Sequence, residues 1–156
     1  FLYTTGPYPL SYNGWGDVLV IVFFGFVPVG GTYYVQALTW TPDVTIASLI
    51  CGLLIDTLLV VNNYRDREAD ARFGEKFGRY FYLMLGVTAS LLCLCFLREG
   101  HFYAAFLPQL YLIPHFLTWK RMVKIYSGKK LNSILGETSR NMLLMGILIA
   151  IGMLIN

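Results

Sequence analysis

Asp56-Thr57-Leu58-Leu59-Val60-Val61-Asn62-Asn63-Tyr64-Arg65-Asp66-Arg67-Glu68-Ala69-Asp70 changes character within one helical length. It begins in an apolar run, carries a single acid at Asp56, and ends in a dense mixture of amides and charges. That is the pattern of a helix leaving a bilayer, because apolar side chains fill the hydrocarbon while charged ones wait for water. Asn62, Asp66 and Asp70 recur every four residues. On a continuing helix each step of four turns the side chain by only about 40°, so the three form one slanted row.

The rest of the chain supports a membrane setting. Of 156 residues, 56% are hydrophobic and only 13% are charged, against roughly 25% charged in an ordinary soluble domain. Mean hydropathy is +0.59. Aromatic residues make up 16%, and such rings favour the membrane interface. Five stretches are read as crossings against the usual requirement of about 20 apolar residues, the last of them shorter. They run from about Trp15 to Gln36, Val44 to Asn63, Tyr80 to Leu97, Phe102 to Trp119, and Asn141 to Ile155. Pro28, Gly30 and Gly31 predict a kink or break in the first; Pro108 and Pro114 lie inside the fourth. The expected fold class is all-α, a polytopic transmembrane helix bundle in a single domain over residues 1–156.

Charge tests this layout. Of 12 Lys and Arg residues, all but Arg98 fall on one side when five spans alternate. That side holds Arg65, Arg67, Arg72, Lys76, Arg79, Lys120, Arg121, Lys124, Lys129, Lys130 and Arg140. Positive loops stay in the cytoplasm, so the charged row should be cytoplasmic and the carboxyl terminus on the far side. Lys129-Lys130 is read as an orienting cluster that meets anionic lipid. Nothing in the pattern suggests nucleic acid. The opening Phe1-Leu2-Tyr3-Thr4-Thr5-Gly6-Pro7-Tyr8-Pro9 reads as a loop entered midway, and a fragment is expected.

The row at Asn62, Asp66 and Asp70 suits a hard cation. Mg²⁺ takes oxygen ligands, keeps several waters, and bridges carboxylates to substrate phosphates. Arg65, Arg67 and Arg72 stand beside the row and suit phosphate oxygens. The competing reading is a solvated ion-pair network of Asp66, Glu68, Asp70 and Glu75 with the nearby cations. Asp56 bears on the choice. A carboxylate in a bilayer costs about 2.5–3.5 kcal/mol on insertion scales unless it faces a polar cavity. Asp56 shares nearly one face with Asn63 and Asp70. Either that face lines a water-filled pocket, or Asp56 bonds to a neighbouring helix through a Ser or Thr.

Cys51, Cys93 and Cys95 lie in apolar stretches without metal-ligand spacing and read as packing residues. His101 follows a turn on the far side and is expected at the interface. His115, inside the fourth span, reads as a packing or hydrogen-bonding residue.

At the charged row the sequence resembles the UbiA-type membrane prenyltransferases, and among them the 1,4-dihydroxy-2-naphthoate polyprenyltransferases of menaquinone biosynthesis. Their second acidic motif, Asn-Asn-x-Arg-Asp-x-x-x-Asp, is matched in register by Asn62, Asn63, Arg65, Asp66 and Asp70. Gly6-Pro7-Tyr8-Pro9-Leu10, Phe23-Phe24-Gly25, Gly31-Thr32-Tyr33-Tyr34-Val35-Gln36, Leu131-Asn132, Thr138 and Arg140 extend the similarity over nearly the whole chain. The resemblance implies a nine-helix bundle around a cavity, of which this chain would supply the last five helices. The missing amino-terminal half would carry the other acidic motif, Asn-Asp-x-x-Asp. After Asp70 the family's Gly-Lys-x-Thr-Leu is absent and the loop is shorter; Lys76 or Arg79 is left as the substitute cation.

The implied activity is Mg²⁺-dependent transfer of a polyprenyl group from polyprenyl diphosphate to dihydroxynaphthoate, in a bacterial inner membrane. The implied roles are metal binding for Asp66, Asp70 and Asn62, diphosphate contact for Arg65, Arg72 and Lys76, a cavity position for Asn63, and a catalytic carboxylate at Asp56 that steadies the allyl cation. This chain alone is expected to be inactive. The alternatives are a transporter or an inactive membrane fragment. A CDP-alcohol phosphotransferase fits less well, because no Asp-Gly occurs.

Overall fold

A computed structural model describes residues 15–66 and 74–155. Every element among the described residues is helical. The first helix, α1, covers Trp15–Ala37. It opens as an α-helix, widens to π-helical winding over Ile21–Gly30, and returns to α-helix at Gly31. Pro28 sits in the wide stretch. Proline has no N–H to give and crowds the carbonyl one turn back. The wider winding accommodates both, so the irregularity expected from Pro28, Gly30 and Gly31 takes the form of altered winding. Leu38, in the left-handed region at φ 52°, ends the helix.

Helix α2 covers Pro42–Asp66, 25 residues. Proline suits a first helical position because its missing N–H is not needed there. Thr41 Oγ1 accepts from the Val44 N–H at 3.4 Å. At about 1.5 Å per residue the helix is about 38 Å long, more than the roughly 30 Å of a hydrocarbon core. Its last turns, Asn62 to Asp66, therefore project beyond the apolar layer. Val44, Ser48, Leu54, Asp56, Val60 and Tyr64 are all buried, because α2 is the central helix and packs on α1, α3 and α5.

Helix α3, Glu75–Leu92, tightens into a 3-10 turn over Cys93–Glu99. Gly100, at φ 90°, then reverses the chain, with the His101 N–H bonded back to Phe96 O at 3.0 Å. Helix α4, residues 102–125, is interrupted by a 3-10 segment at Leu107–Tyr111 that contains Pro108. Gln109 compensates for the break. Its Nε2 donates to Ala105 O at 3.0 Å and to Ser90 O at 2.9 Å, and its Oε1 accepts from Ser90 Oγ at 2.7 Å. Satisfying freed carbonyls internally is what permits a broken helix at membrane depth. Helix α5, Asn132–Ile155, follows a 3-10 turn at Lys129–Leu131. It starts well before the apolar run at Asn141, because Ile134, Thr138, Asn141 and Met145 keep a helical spacing that is buried throughout.

Among the described residues four rods, Trp15–Ala37, Pro42–Asp66, Lys76–Glu99 and Lys129–Ile155, are long and apolar enough to cross a membrane. The fold is an all-α bundle of an integral membrane protein.

Two apolar clusters fill it. One joins Ile50, Leu54, Cys93, Phe96 and Tyr111. The other lies toward the charged end and joins Val60, Val61, Tyr64, Tyr82, Met122, Leu131 and Ile134. His115 stands by this second cluster, stacked on Tyr82 and Tyr111 with ring centroids 4.8 and 5.1 Å away. Its Nδ1 shares a hydrogen bond with the Tyr111 hydroxyl at 2.9 Å, and Nε2 faces Leu83 O at 3.4 Å.

Candidate functional site at the charged end of α2

The second cluster fixes the end of α2. Val60, Val61 and Tyr64 are fully buried and turn the opposite side of the last turns outward. Asn62 and Asn63 are half-buried, and Asp66 is exposed. Asn62 and Asp66 sit one turn apart on unbroken helix, so the first step of the expected row holds. Asp70 and Arg72 lie outside the described residues. Lys76, at the start of α3, is exposed.

Arg65 forks onto its neighbour. Its Nε meets Asp66 Oδ1 at 2.8 Å and its Nη2 meets Oδ2 at 2.9 Å. Its Nη1 reaches Asn132 Oδ1 at 3.0 Å, across 67 residues of chain. Planar guanidinium geometry suits this paired contact. The tie draws the start of α5 to the end of α2, and a cleft of about 260 Å³ forms between them. Arg65, Asp66, Gly128, Lys129 and Asn132 line it. With two cations to one carboxylate, its walls favour an anion. Arg79 is placed elsewhere: its Nε donates to the Tyr64 hydroxyl at 3.0 Å, and its guanidinium lies 5.5 Å from the centre of the Tyr126 ring.

Lys129 and Asn132 were not among the expected site residues. Lys129 was read as part of a lipid-facing pair. The 3-10 turn at Lys129–Leu131 buries Leu131 and thereby holds the flanking polar side chains against α2. A long-range contact of this kind leaves no spacing signal.

Asp56 is fully buried. It faces α1, where its neighbour is Asp17, a second carboxyl within hydrogen-bonding reach. The neighbouring helix thus presents an acid where a Ser or Thr was expected, and neither Asp56 oxygen has a hydrogen-bond donor among the described residues. Asp17 was also missed. It lies inside the first apolar stretch, so the cost of burying an acid, applied to Asp56, would have found it too.

No group of three or more His, Cys, Asp or Glu side chains able to hold a metal occurs among the described residues. Asn62 and Asp66 offer oxygen donors of the kind Mg²⁺ takes. They amount to part of a coordination shell.

The chain matches the UbiA prenyltransferase family over residues 1–143. It is 33% identical to a 1,4-dihydroxy-2-naphthoate octaprenyltransferase of Haemophilus influenzae, with 98% of this chain and 53% of that protein covered. A protein of the same name from Escherichia coli is 39% identical over 59% of this chain and 32% of its own length. The UbiA prenyltransferase domain-containing protein 1 of Dictyostelium discoideum is 28% identical, covering 99% of this chain and 48% of that protein. No solved structure matches. The chain spans about half the length of the first of these relatives. A family match over most of its length, on a helical bundle whose central helix delivers Arg65 and Asp66 to a cationic cleft, places this chain in the UbiA prenyltransferase family.

Proposed function

We propose that this chain supplies the second acidic motif of an enzyme that transfers a polyprenyl group from polyprenyl diphosphate to 1,4-dihydroxy-2-naphthoate in menaquinone biosynthesis. The carrying observation is the cleft at the end of α2, where an exposed carboxylate at Asp66 stands among Arg65, Lys129 and Asn132. The names of the bacterial relatives supply the acceptor and the reaction class.

Asp66, Asp70 and Asn62 are the residues that would hold Mg²⁺. The ion would offset charge that builds on the departing diphosphate. Arg65 and Lys129 bind the diphosphate oxygens, with Arg72 and Lys76 as further cations that follow Asp66 in the sequence. Asn132 orients Arg65 through its side-chain oxygen. The bond between the prenyl carbon and the diphosphate oxygen breaks with its electron pair leaving on oxygen. The electron-rich ring supplies the pair for the new carbon–carbon bond and releases its own substituent without the bonding electrons. Asn63, half-buried, takes a cavity position. The basic side of the chain is cytoplasmic. The other acidic motif comes from the earlier helices of a nine-helix bundle, of which these are the last five.

The test uses the full-length protein in nanodiscs. Asp66→Asn and Asp70→Asn should each lower Mg²⁺-dependent prenylation of dihydroxynaphthoate by about 100-fold or more, the scale on which charge stabilisation acts. Titration with polyprenyl diphosphate should show binding that needs Mg²⁺ in the parent and is lost in both variants. Unchanged turnover in both variants rejects the metal assignment. Absence of diphosphate binding in the parent rejects the function and leaves a transporter or inactive assembly.

A further inference from the structure

Helices α1 and α2 run antiparallel and touch at backbone level. A side chain at Gly25 would collide with Ser48 O, and one at Gly52 would come within 2.8 Å of Ile21 Cα. This register pairs residue 25 with 48 and 21 with 52. One helical turn further, the same register pairs Asp17 with Asp56, and the two carboxyls are indeed in reach of each other. Small residues at membrane helix contacts permit such closeness. Gly25 and Gly52 therefore do more than pack; they press two acids together.

Neither Asp56 oxygen finds a hydrogen-bond donor among the described residues, although the side chain is fully buried. Asp17 is half-buried and keeps one side open. Two carboxylates this close in an apolar setting do not both stay ionised, because their repulsion and lost hydration exceed the cost of retaining a proton. One proton between them makes one hydrogen bond and leaves the remaining oxygens seeking donors. Asp56 lies about 15 Å from Asp66 along the helix axis. A diphosphate head, a prenyl C1 carbon and one fused aromatic ring system span a comparable length. A prenyl tail carries no O–H or N–H, and a diphosphate is repelled by acids. Of the substrates proposed above, the aromatic acceptor alone brings hydroxyl donors.

We propose that Asp17 and Asp56 form a one-proton carboxyl dyad that hydrogen-bonds a hydroxyl of the aromatic acceptor. The proposal rests on the prenyl-transfer reading. Asp17, with its open side, makes the contact. Asp56, enclosed by α1 and α2, is a positioning residue that holds Asp17 and the shared proton in place.

Two measurements on the full-length protein in nanodiscs test it. The first is infrared spectroscopy of the carboxyl region at neutral pH, which needs no turnover. A protonated-acid band should be present, and Asp17→Asn and Asp56→Asn should each remove it. The second is direct binding of 1,4-dihydroxy-2-naphthoate and of its two monohydroxy analogues. The parent should prefer the dihydroxy compound over at least one analogue by about tenfold, as expected for one hydrogen bond to a charged group. Asp17→Ala and Asp56→Leu should abolish that preference and leave polyprenyl diphosphate affinity within about twofold, since only the hydroxyl contact is lost. Asp56→Asn, which donates as the protonated acid does, should retain it. A persistent band in either Asn variant overturns the dyad. A lost band with the preference intact in Asp17→Ala means that the dyad binds water and overturns the assignment to the acceptor. A parent that binds polyprenyl diphosphate but neither naphthoate overturns it too, and leaves the metal site standing.

Discussion

Two buried polar groups of this bundle invite comparison. His115, on α4, has both ring nitrogens engaged and is stacked between two tyrosines. The neighbouring Tyr82 hydroxyl bonds Thr138 at 3.0 Å, and Asn141 Nδ2 bonds Thr118 Oγ1 at 2.9 Å. Asp56, on α2, is as deeply buried, yet its oxygens have no donor among the described residues. A buried polar group that is satisfied contributes to stability, whereas one left unsatisfied costs it. The first arrangement therefore reads as structural cement between α3, α4 and α5. The second carries a cost to folding, and such costs gather at functional sites.

Substitutions can break this contrast. The largest effect is expected at Gly86, where any side chain would run into the His115 ring. Gly86→Leu should destabilise the protein by about 3 kcal/mol through overpacking, read from thermal unfolding in detergent. His115→Phe keeps the ring but leaves the Tyr111 hydroxyl unpartnered, for an expected loss of about 2 kcal/mol in the same assay. Asp56→Val should act with the opposite sign, raising stability by about 1 kcal/mol as the unsatisfied carboxyl is removed. Destabilisation by Asp56→Val equal to that of His115→Phe would erase the distinction. The smallest effect belongs to the exposed Arg121, which pairs with Glu137 at 2.7 Å. Arg121→Lys, which keeps a cation beside the largely buried Glu137, should cost no more than about 0.5 kcal/mol.

Much of the bundle was legible because a bilayer imposes length and polarity on its helices. The spans at Val44 to Asn63 and Tyr80 to Leu97 were found with ends short by a few residues, since hydropathy fades before the helix does. The start of α5 was placed too late for the same reason: Asn132, Glu137 and Arg140 look like loop residues until the burial of Ile134 and Thr138 is seen. The break in α4 was foreshadowed by Pro108, but its repair by Gln109 was not. At the site, Asn62, Arg65 and Asp66 were legible because helical spacing is local. Lys129 and Asn132 were not, because each meets the end of α2 across a helix-helix contact, and a contact of that kind has no fixed sequence offset; Asp17 was legible only as an acid inside an apolar stretch, not as the neighbour of Asp56.

The hydrogen bond from Arg65 to Asn132 has a temporal consequence. It closes a loop of 67 residues, and one wall of the cleft beside Asp66 is made by Gly128, Lys129 and Asn132. During synthesis Pro42–Asp66 emerges from the ribosome long before that wall exists. The cleft beside Asp66 is therefore complete only once Lys129–Ile155 has been made, and a nascent chain stalled before Lys129 lacks that wall.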